Sequence, residues 1–553
     1  MVPFFNPDAA SLRPAYDPPK SWQDAAQQVK QAFLYSYHGY EKYAIPHDEV
    51  MPLSRAGVDN FNGWGIDFYD ALDTMILMNT TEEFDRAMFN IQQADFYLPP
   101  ERNALFFETV IRHLGGLLSA YAMTGHELLL EKADLLGRLL SPVFETRSGL
   151  PYYDVNTVTG ETRRNPDGYL AELASCQPEY TYLAKITGKP EYYNHVKKIW
   201  QTLDRAGTSQ FGGMLPTHWN LTTGQPLDFR LTVGGQADSA HEYLLKQYLL
   251  TGRTDKTALE MYLRMTTHVI TRMLYLTPSR HIMYPSSTVG EMPHDNPAHD
   301  FEHLDCFLPG LFALGAHLLP LDNLHSLGID FMSLASDLPA ENRKNYELLS
   351  KYKLSDVHMW AAKGMAEACT VMYFDQPTGL SPDIVLMNQV PTPVLWVKEL
   401  ERWKEGRWNG NPPGVDAIKP RPHLSGRKRP NKDYGVRSTG YELRPETIES
   451  LWYLYRITGE EKWRKYGWEI FQAIEANTKT QVGYCSIENV EISPPRKKDS
   501  SPSYFLAETL KYLYLLFDDE DHYPLDKWVL NTEAHPLPVF QWTQEEKEKF
   551  GIP

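Results

Sequence analysis

The sequence predicts an all-α fold built from repeated helical hairpins, and three observations carry that reading. A unit of two helical runs joined by a Thr-Gly break recurs along the chain. Within each run, apolar residues return every three or four positions, the spacing of one helix face. Alternating apolar and polar stretches of the strand kind are scarce.

The units follow in order. LLSAYAMTGHELLLEKADLLGRLL spans 117–140, YTYLAKITGKPEYYNHVKKIWQTL 180–203, YLLKQYLLTGRTDKTALEMYLRM 243–265 and LWYLYRITGEEKWRKYGWEIFQAIE 451–475. Their glycines at 125, 188, 252 and 459 lie 63, 64 and 207 residues apart, the last gap near three more periods. Glycine after an amphipathic run suits a left-handed helix end, with the next helix starting at once. About 64 residues accommodate two helices and two loops, so 553 residues leave room for seven or eight pairs. Such hairpins stack as an open solenoid or close into an α/α toroid, and acidic residues between helices favour closure around a pocket. Residues 1–21 read as a Pro-rich tail. Residues 22–553 read as one helical domain, with a Gly/Pro/basic surface loop at 403–437.

Composition narrows the class. The 13 Trp, 33 Tyr and 23 Phe supply far more core material than disordered chains carry. A formal charge of −17 argues against nucleic-acid or anionic-membrane surfaces, where basic excess supplies affinity. No run of 18 apolar residues predicts a membrane span. The opening residues show no basic stretch followed by an apolar one, so no signal peptide is visible. Four cysteines, Cys176, Cys306, Cys369 and Cys485, are too few for a disulfide scaffold and lack CxxC spacing, so they first read as buried thiols. Sequons at Asn79 and Asn220 are no more than a chain this long contains by chance.

Charged residues inside apolar helical text mark the candidate site, because burial of unpaired charge is costly. Glu108 and Arg112 lie four apart in LFFETVIRHLGGLLSAY, as do Asp238 and Glu242 in GGQADSAHEYLLKQYLL. Arg444 and Glu446 precede the 451–475 unit, with Glu449 three residues on, and Glu508 sits in SPSYFLAETLKYLYLLF. One such group reads as a structural ion pair or a capping box. Four together point to a shared polar pocket. Paired acids suit glycoside hydrolysis, one protonating the leaving oxygen and one activating water.

Eight segments occur in one order: FNGWGIDFYDALDTM, FFETVIRHLGGLLSAY, ADSAHEYLLK, EHLDCFLPG, TGLSPD, LRPETIESLWYLYRITG, SYFLAETLKYLYLLF and LNTEAHPLP. Across residues 22–540 they make the chain resemble the class I α-1,2-mannosidases, glycoside hydrolase family 47. The resemblance implies an (α/α)7 barrel, a Ca²⁺ at the pocket floor, and inverting removal of terminal α-1,2-linked mannose from high-mannose N-glycans or mannan. It also implies a monomer in the secretory pathway or outside the cell, with a mannose-containing glycan or glycoprotein as partner and no nucleic acid. Glu108 resembles the general acid acting through a water, Glu446 the general base, and Asp238 a third acid in proton delivery. Thr532 resembles the one side chain bound directly to Ca²⁺, while Glu446, Glu449, Glu508 and Glu533 would hold its waters. Arg112, Arg444, His303 and Glu508 would grip the terminal sugar and Tyr504 would stack on it. Glu242 and Glu533 are further substrate-binding candidates, and Glu172 and Glu179 would line the approach. Gln236 occupies a position that bears on branch preference. Cys306 and Cys369 match the family's disulfide, a closure worth about 4 kcal/mol; Cys176 and Cys485 stay thiols.

The chain departs from that pattern at Ser239-Ala240-His241, Asp305, Tyr504 and Asp67. These changes leave the proton-transfer carboxylates intact and put the natural glycan in question. Two rivals to an α-1,2-mannosidase follow: the same fold cleaving another α-mannoside linkage, and a lectin-like binder of mannosylated glycoproteins. His294, His299 and His303 with Asp295 and Asp300 make a weak alternative Zn²⁺ set, interrupted by prolines and more simply read as loop histidines in solvent.

Overall fold

The computed structural model describes residues 16–290, 296–419 and 431–552. Most of the Pro-rich tail, the middle of the 403–437 loop, His294 and Asp295 lie outside the described residues. Among the described residues, fourteen helices build a barrel. In chain order they are α1 (Trp22–Tyr43), α2 (Ile66–Leu77), α3 (Thr81–Gln93), α4 (106–124), α5 (Glu127–Leu140), α6 (Gln177–Thr187) and α7 (Pro190–Arg205). There follow α8 (Asp238–Leu250), α9 (Lys256–His268), α10 (Leu308–Leu318), α11 (Leu354–Phe374), α12 (Glu446–Thr458), α13 (Glu461–Thr478) and α14 (505–517).

The even-numbered helices form an inner ring, each packed on the next, and α14 closes it against α2. Each inner helix is backed by the odd-numbered helix that follows it. The exception is α14, which is backed by α1 from the other end of the chain. Closure makes this an (α/α)7 barrel and rules out the open solenoid.

Local chemistry explains the hairpins. Ser21 caps α1 by accepting from the Asp24 amide at 3.1 Å. Gly125, Gly188 and Gly459 end α4, α6 and α12 with φ of 68°, 68° and 67°, and Gly252 sits two residues past the end of α8. Between α2 and α3 the left-handed position falls to Asn79 (φ 52°), which tolerates it better than most residues. Outer helices bury one face, as α7 does with Tyr192, Val196, Ile199, Trp200 and Leu203. Inner helices are covered all round: every residue of α8 after Asp238 is buried. Each large apolar side chain so buried contributes about 1.5–3 kcal/mol.

Three details differ from the sequence reading. The gap between Gly252 and Gly459 holds one hairpin, α10 with α11, because long excursions before and after α11 take up the remaining length. Short antiparallel ribbons of two to five residues join the helices, among them Asp167–Tyr169 with His218–Asn220 and Asp300–Glu302 with Ile384–Met387. They are too brief to show alternation. The 403–437 loop begins inside a helix, Trp396–Glu405, and ends in a strand, Tyr434–Ser438, that pairs with Ile384–Met387. Cys306 and Cys369 form the disulfide that ties α11 to the turn before α10, while Cys176 and Cys485 are buried thiols. Among the described residues no single helix is long and apolar enough to cross a membrane.

Candidate active site

Each inner helix hands over to an outer helix that returns, so the inner helices all begin at one end of the barrel. Their first turns carry the predicted acids. Glu108 lies in the first turn of α4, Asp238 opens α8, Glu446 opens α12, and Glu508 sits in the opening turn of α14. The positive ends of helix dipoles favour carboxylates there. In α4 and α14 this region is a wider π-helical turn, Thr109–Leu114 and Phe505–Thr509, which aims Arg112 and Glu508 inward.

Arg112 is the hub. Its Nε donates to Glu108 at 2.9 Å, and its Nη1 donates to Glu533 and, at 3.3 Å, to the Ser503 hydroxyl. The guanidinium lies 5.7 Å from the Tyr504 ring centre and 5.2 Å from that of Phe61. On the other side of the pocket, Glu446 Oε2 meets His303 Nδ1 at 2.7 Å, and the His303 Nε2 faces the Tyr373 hydroxyl at 2.7 Å. Arg444 donates to Asp383 at 2.9 Å and stands 3.9 Å from Glu446.

A hairpin, Trp528–Leu530 with Pro536–Pro538, plugs the ring and brings Thr532 and Glu533 to this cluster. Asn531 anchors it, donating to the Ile111 carbonyl at 3.0 Å and to Glu179 at 2.7 Å. Its Oδ1 accepts from the amides of Glu533 and His535 at 2.9 and 2.8 Å. Tyr243 donates to Glu179 at 2.5 Å and accepts from the Thr532 amide at 3.2 Å. His535 bonds Asp73 at 2.7 Å, and Lys511 joins the same aspartate at 2.8 Å.

The charges are set apart by surroundings. Burial works to raise Glu446, but the hydrogen bond and charge of His303, with Arg444, overcome it and hold the carboxyl below its ordinary value. Asp238 is pushed up to about 7 by burial, with Glu242, Glu446 and Glu302 adding. Glu449 and Glu533 are both pushed up to about 8, chiefly by burial. Glu508 stands well above the carboxylate range through burial and the negative charges of Glu533, Glu446 and Glu449.

The structure therefore gathers Glu108, Arg112, Asp238, Glu446, Glu449, Glu508, Thr532 and Glu533, with His303, Arg444 and Tyr504 beside them. Tyr504 is fixed by its hydroxyl on the Glu442 carbonyl at 2.7 Å. Glu242 is buried and paired with Lys246, which also reaches Glu449 at 3.5 Å. Glu172 stands at the rim, raised by burial and by Glu108. Glu179 departs from expectation: fully buried, it anchors the plug through Tyr243 and Asn531 and does not line an approach. Gln236, exposed with φ of 79°, accepts from Arg230 at 3.0 Å. Asp305 is buried and accepts from the Glu302 amide at 2.8 Å, and Asp67 is buried in α2 beside Glu49 and Asp70.

Sequence reasoning passed over Lys246, Ser503, Tyr373 and Glu302. Only Lys246 had a local signal, as a lysine four residues after Glu242 in an apolar helix. The described histidines of that set are engaged separately. His299 and His303 are buried, with Tyr284 2.7 Å from one and Glu446 2.7 Å from the other. Among the described residues no three His, Cys, Asp or Glu side chains form a direct metal-binding group. The Thr532 and carboxylate set offers only oxygen, and its crowded carboxyls outnumber the cations beside them, Arg112, Arg444 and Lys246. That chemistry fits a hard divalent cation held largely through water.

Comparison with known proteins bears on the family and the fold. The family model described as "Glycosyl hydrolase family 47" matches residues 32–539. The chain is 34% identical to the "Endoplasmic reticulum mannosyl-oligosaccharide 1,2-alpha-mannosidase" of Rattus norvegicus, over 96% of this chain and 71% of that protein. It is 34% identical to the "Mannosyl-oligosaccharide 1,2-alpha-mannosidase" of Candida albicans, over 94% of this chain and 84% of that one. The solved "alpha-1,2-mannosidase from Trichoderma reesei" superposes with a TM-score of 0.75 at 26% identity, covering 94% of this chain and 99% of its own.

Proposed function

The chain belongs to glycosyl hydrolase family 47 and is a glycoside hydrolase, and from that premise we propose that it is an inverting, Ca²⁺-dependent exo-α-1,2-mannosidase of the secretory pathway, trimming high-mannose N-glycans or mannan. The relatives' names support the linkage and the compartment. One observation carries the division of roles. Glu446 is held ionised by His303 and Arg444, while Asp238, facing the same pocket, is raised to about 7. Carboxyl groups pushed in opposite directions are what acid and base work needs.

In this reading Glu446 takes a proton from a water as its oxygen bonds the mannose C1. The C1–oxygen bond to the next sugar breaks on the opposite face. Glu108 and Asp238 return a proton to the leaving oxygen, Glu108 through a second water. Arg112 holds Glu108 in place and, with Arg444 and Tyr504, orients the ring. Thr532 would hold Ca²⁺ directly, with Glu446, Glu449, Glu508 and Glu533 holding its waters. When bound, the ion supplies loosely held oxygen positions that sugar hydroxyls can occupy.

The test is mannose release from α-1,2-mannobiose and from a nine-mannose glycan, with and without EDTA. We expect release that EDTA abolishes, and a product of inverted anomeric configuration by NMR. Release unaffected by EDTA removes the metal from the reading. Release from α-1,3- or α-1,6-mannobiose alone overturns the linkage.

A further inference from the structure

We propose that the groove beyond Glu172 is a distal sugar subsite, in which Tyr169, backed by the His218 ring, stacks on a mannose of the same glycan arm further from the scissile bond. This rests on the mannosidase reading above. The groove, of about 520 Å³, is lined by Tyr153, Arg163, Asp167, Tyr169, Glu172 and His218 among others. That size lies within the usual range of ligand sites.

The platform is built by strand pairing. Tyr169 and His218 are direct cross-strand partners in the ribbon Asp167–Tyr169 with His218–Asn220. Their rings stack with centres 5.2 Å apart and planes 27° from parallel. Tyr169 is 39% exposed and Tyr153 38%, so aromatic surface faces solvent from two segments of one groove. The edge is polar: Asp167 approaches His218 at 3.5 Å, and Arg163 pairs with Asp154 at 2.6 Å. A pyranose has an apolar C–H face and a rim of hydroxyls. An aromatic plate bordered by a carboxylate and a guanidinium matches both parts.

The groove also leads to the reaction centre. The chain runs from Tyr169 straight into the turn Leu170–Leu173, which carries Glu172. Burial and the nearby Glu108 carboxylate raise Glu172, and the Tyr153 hydroxyl is raised by burial and by both carboxylates. The Tyr153 carbonyl accepts from the Phe106 amide at 2.9 Å, which places that tyrosine beside the start of α4 and Glu108. An arm whose terminal mannose lies at Glu108 and Glu446 therefore has a path out past Glu172 to the platform.

The experiment compares kcat/KM for a nine-mannose glycan with that for α-1,2-mannobiose in the intact chain and in Tyr169→Ala and Tyr169→Trp. An aromatic stack of this kind is worth about a two- to tenfold change in affinity. The ratio of glycan to disaccharide should fall by about that factor in Tyr169→Ala, through KM, and return in Tyr169→Trp, which restores a plate. An unchanged ratio in Tyr169→Ala overturns the subsite, as does a Trp variant no better than Ala. Unaltered chain that releases mannose from neither substrate overturns the mannosidase reading itself, and the platform with it.

Discussion

Replacing Asn531 by Ala should unseat the plug and dim the site together. The side chain is fully buried and makes four hydrogen bonds: to the Ile111 carbonyl, to Glu179, and from the amides of Glu533 and His535. A neutral bond of this kind contributes about 1 kcal/mol, and a partner left buried and unpaired costs about 1–3 kcal/mol. The loss should total about 4 kcal/mol, allowing for partial relaxation. Asn531→Asp separates the two halves of that figure. It keeps the acceptor for Glu533 and His535 but loses the donor toward Glu179 and Ile111. At pH 6 Glu179, raised to about 7 by burial, still carries a proton and can donate to the new carboxylate. The Asp variant should then lose only about 2 kcal/mol. The assay is urea unfolding at pH 6, read as a midpoint shift at constant slope, with kcat on the nine-mannose glycan measured beside it. Because Asn531 sets the amide of Glu533 and the turn that carries Thr532, kcat should fall at least tenfold in Asn531→Ala. A variant within about 1 kcal/mol of the original chain, with kcat intact, refutes the plug's role.

Further outcomes follow from the same geometry. Glu446→Gln keeps size and removes the base, so turnover should drop by two or more orders of magnitude while the unfolding midpoint holds; near-normal turnover removes Glu446 from the mechanism. EDTA should lower the melting temperature, and excess Ca²⁺ restore it, since an ion bound only to the folded state stabilises by mass action; identical melting curves count against the ion. Cys306→Ser with Cys369→Ser opens a loop with a sequence separation of 63 and should cost about 4 kcal/mol, seen in denaturant titration; a loss below 1 kcal/mol contradicts the loop-closure account. Burial lowers His113, His241, His268 and His358 to between about 3 and about 4. Unfolded histidine titrates near 6.5, so the unfolded chain binds protons first on acidification. The share of stability these histidines carry should be intact above pH 6.5 and fall below it, by about 1.4 kcal/mol per buried histidine at pH 5.5, while the raised carboxyls of Asp238, Glu179, Glu449 and Glu533 act in the opposite direction over the same range. The check is urea unfolding of His358→Phe beside the unaltered chain: the variant should gain about 1.4 kcal/mol relative to it between pH 7 and 5.5, and a difference that does not change with pH rejects that account.

Much of the fold was legible because its signals are local. Gly125, Gly188 and Gly459 end helices where a left-handed residue is needed, and the three- and four-residue apolar rhythm marks the faces. The pairing of α14 with α1 was not legible, since nothing in either segment names a partner hundreds of residues away. The ribbons were hidden by brevity, and the single hairpin between Gly252 and Gly459 by the irregular excursions around it.

The site divides along the same line. Glu108 with Arg112 and Glu242 with Lys246 lie one helical turn apart, so spacing alone places each pair on one face. His303 and Glu446 are 143 residues apart, and Arg112 and Glu533 are 421 apart. Motif resemblance nominated those residues, yet it misplaced Glu179, whose carboxyl turns to Tyr243 and the plug. By itself the sequence determined the helices, their ends and the acids on their first turns, because backbone propensity and i, i+4 geometry act within a few residues. Only the tertiary structure decided which acids share a pocket, which are neutralised and which stay ionised. Burial and charge depend on neighbours that closure of the ring brings together.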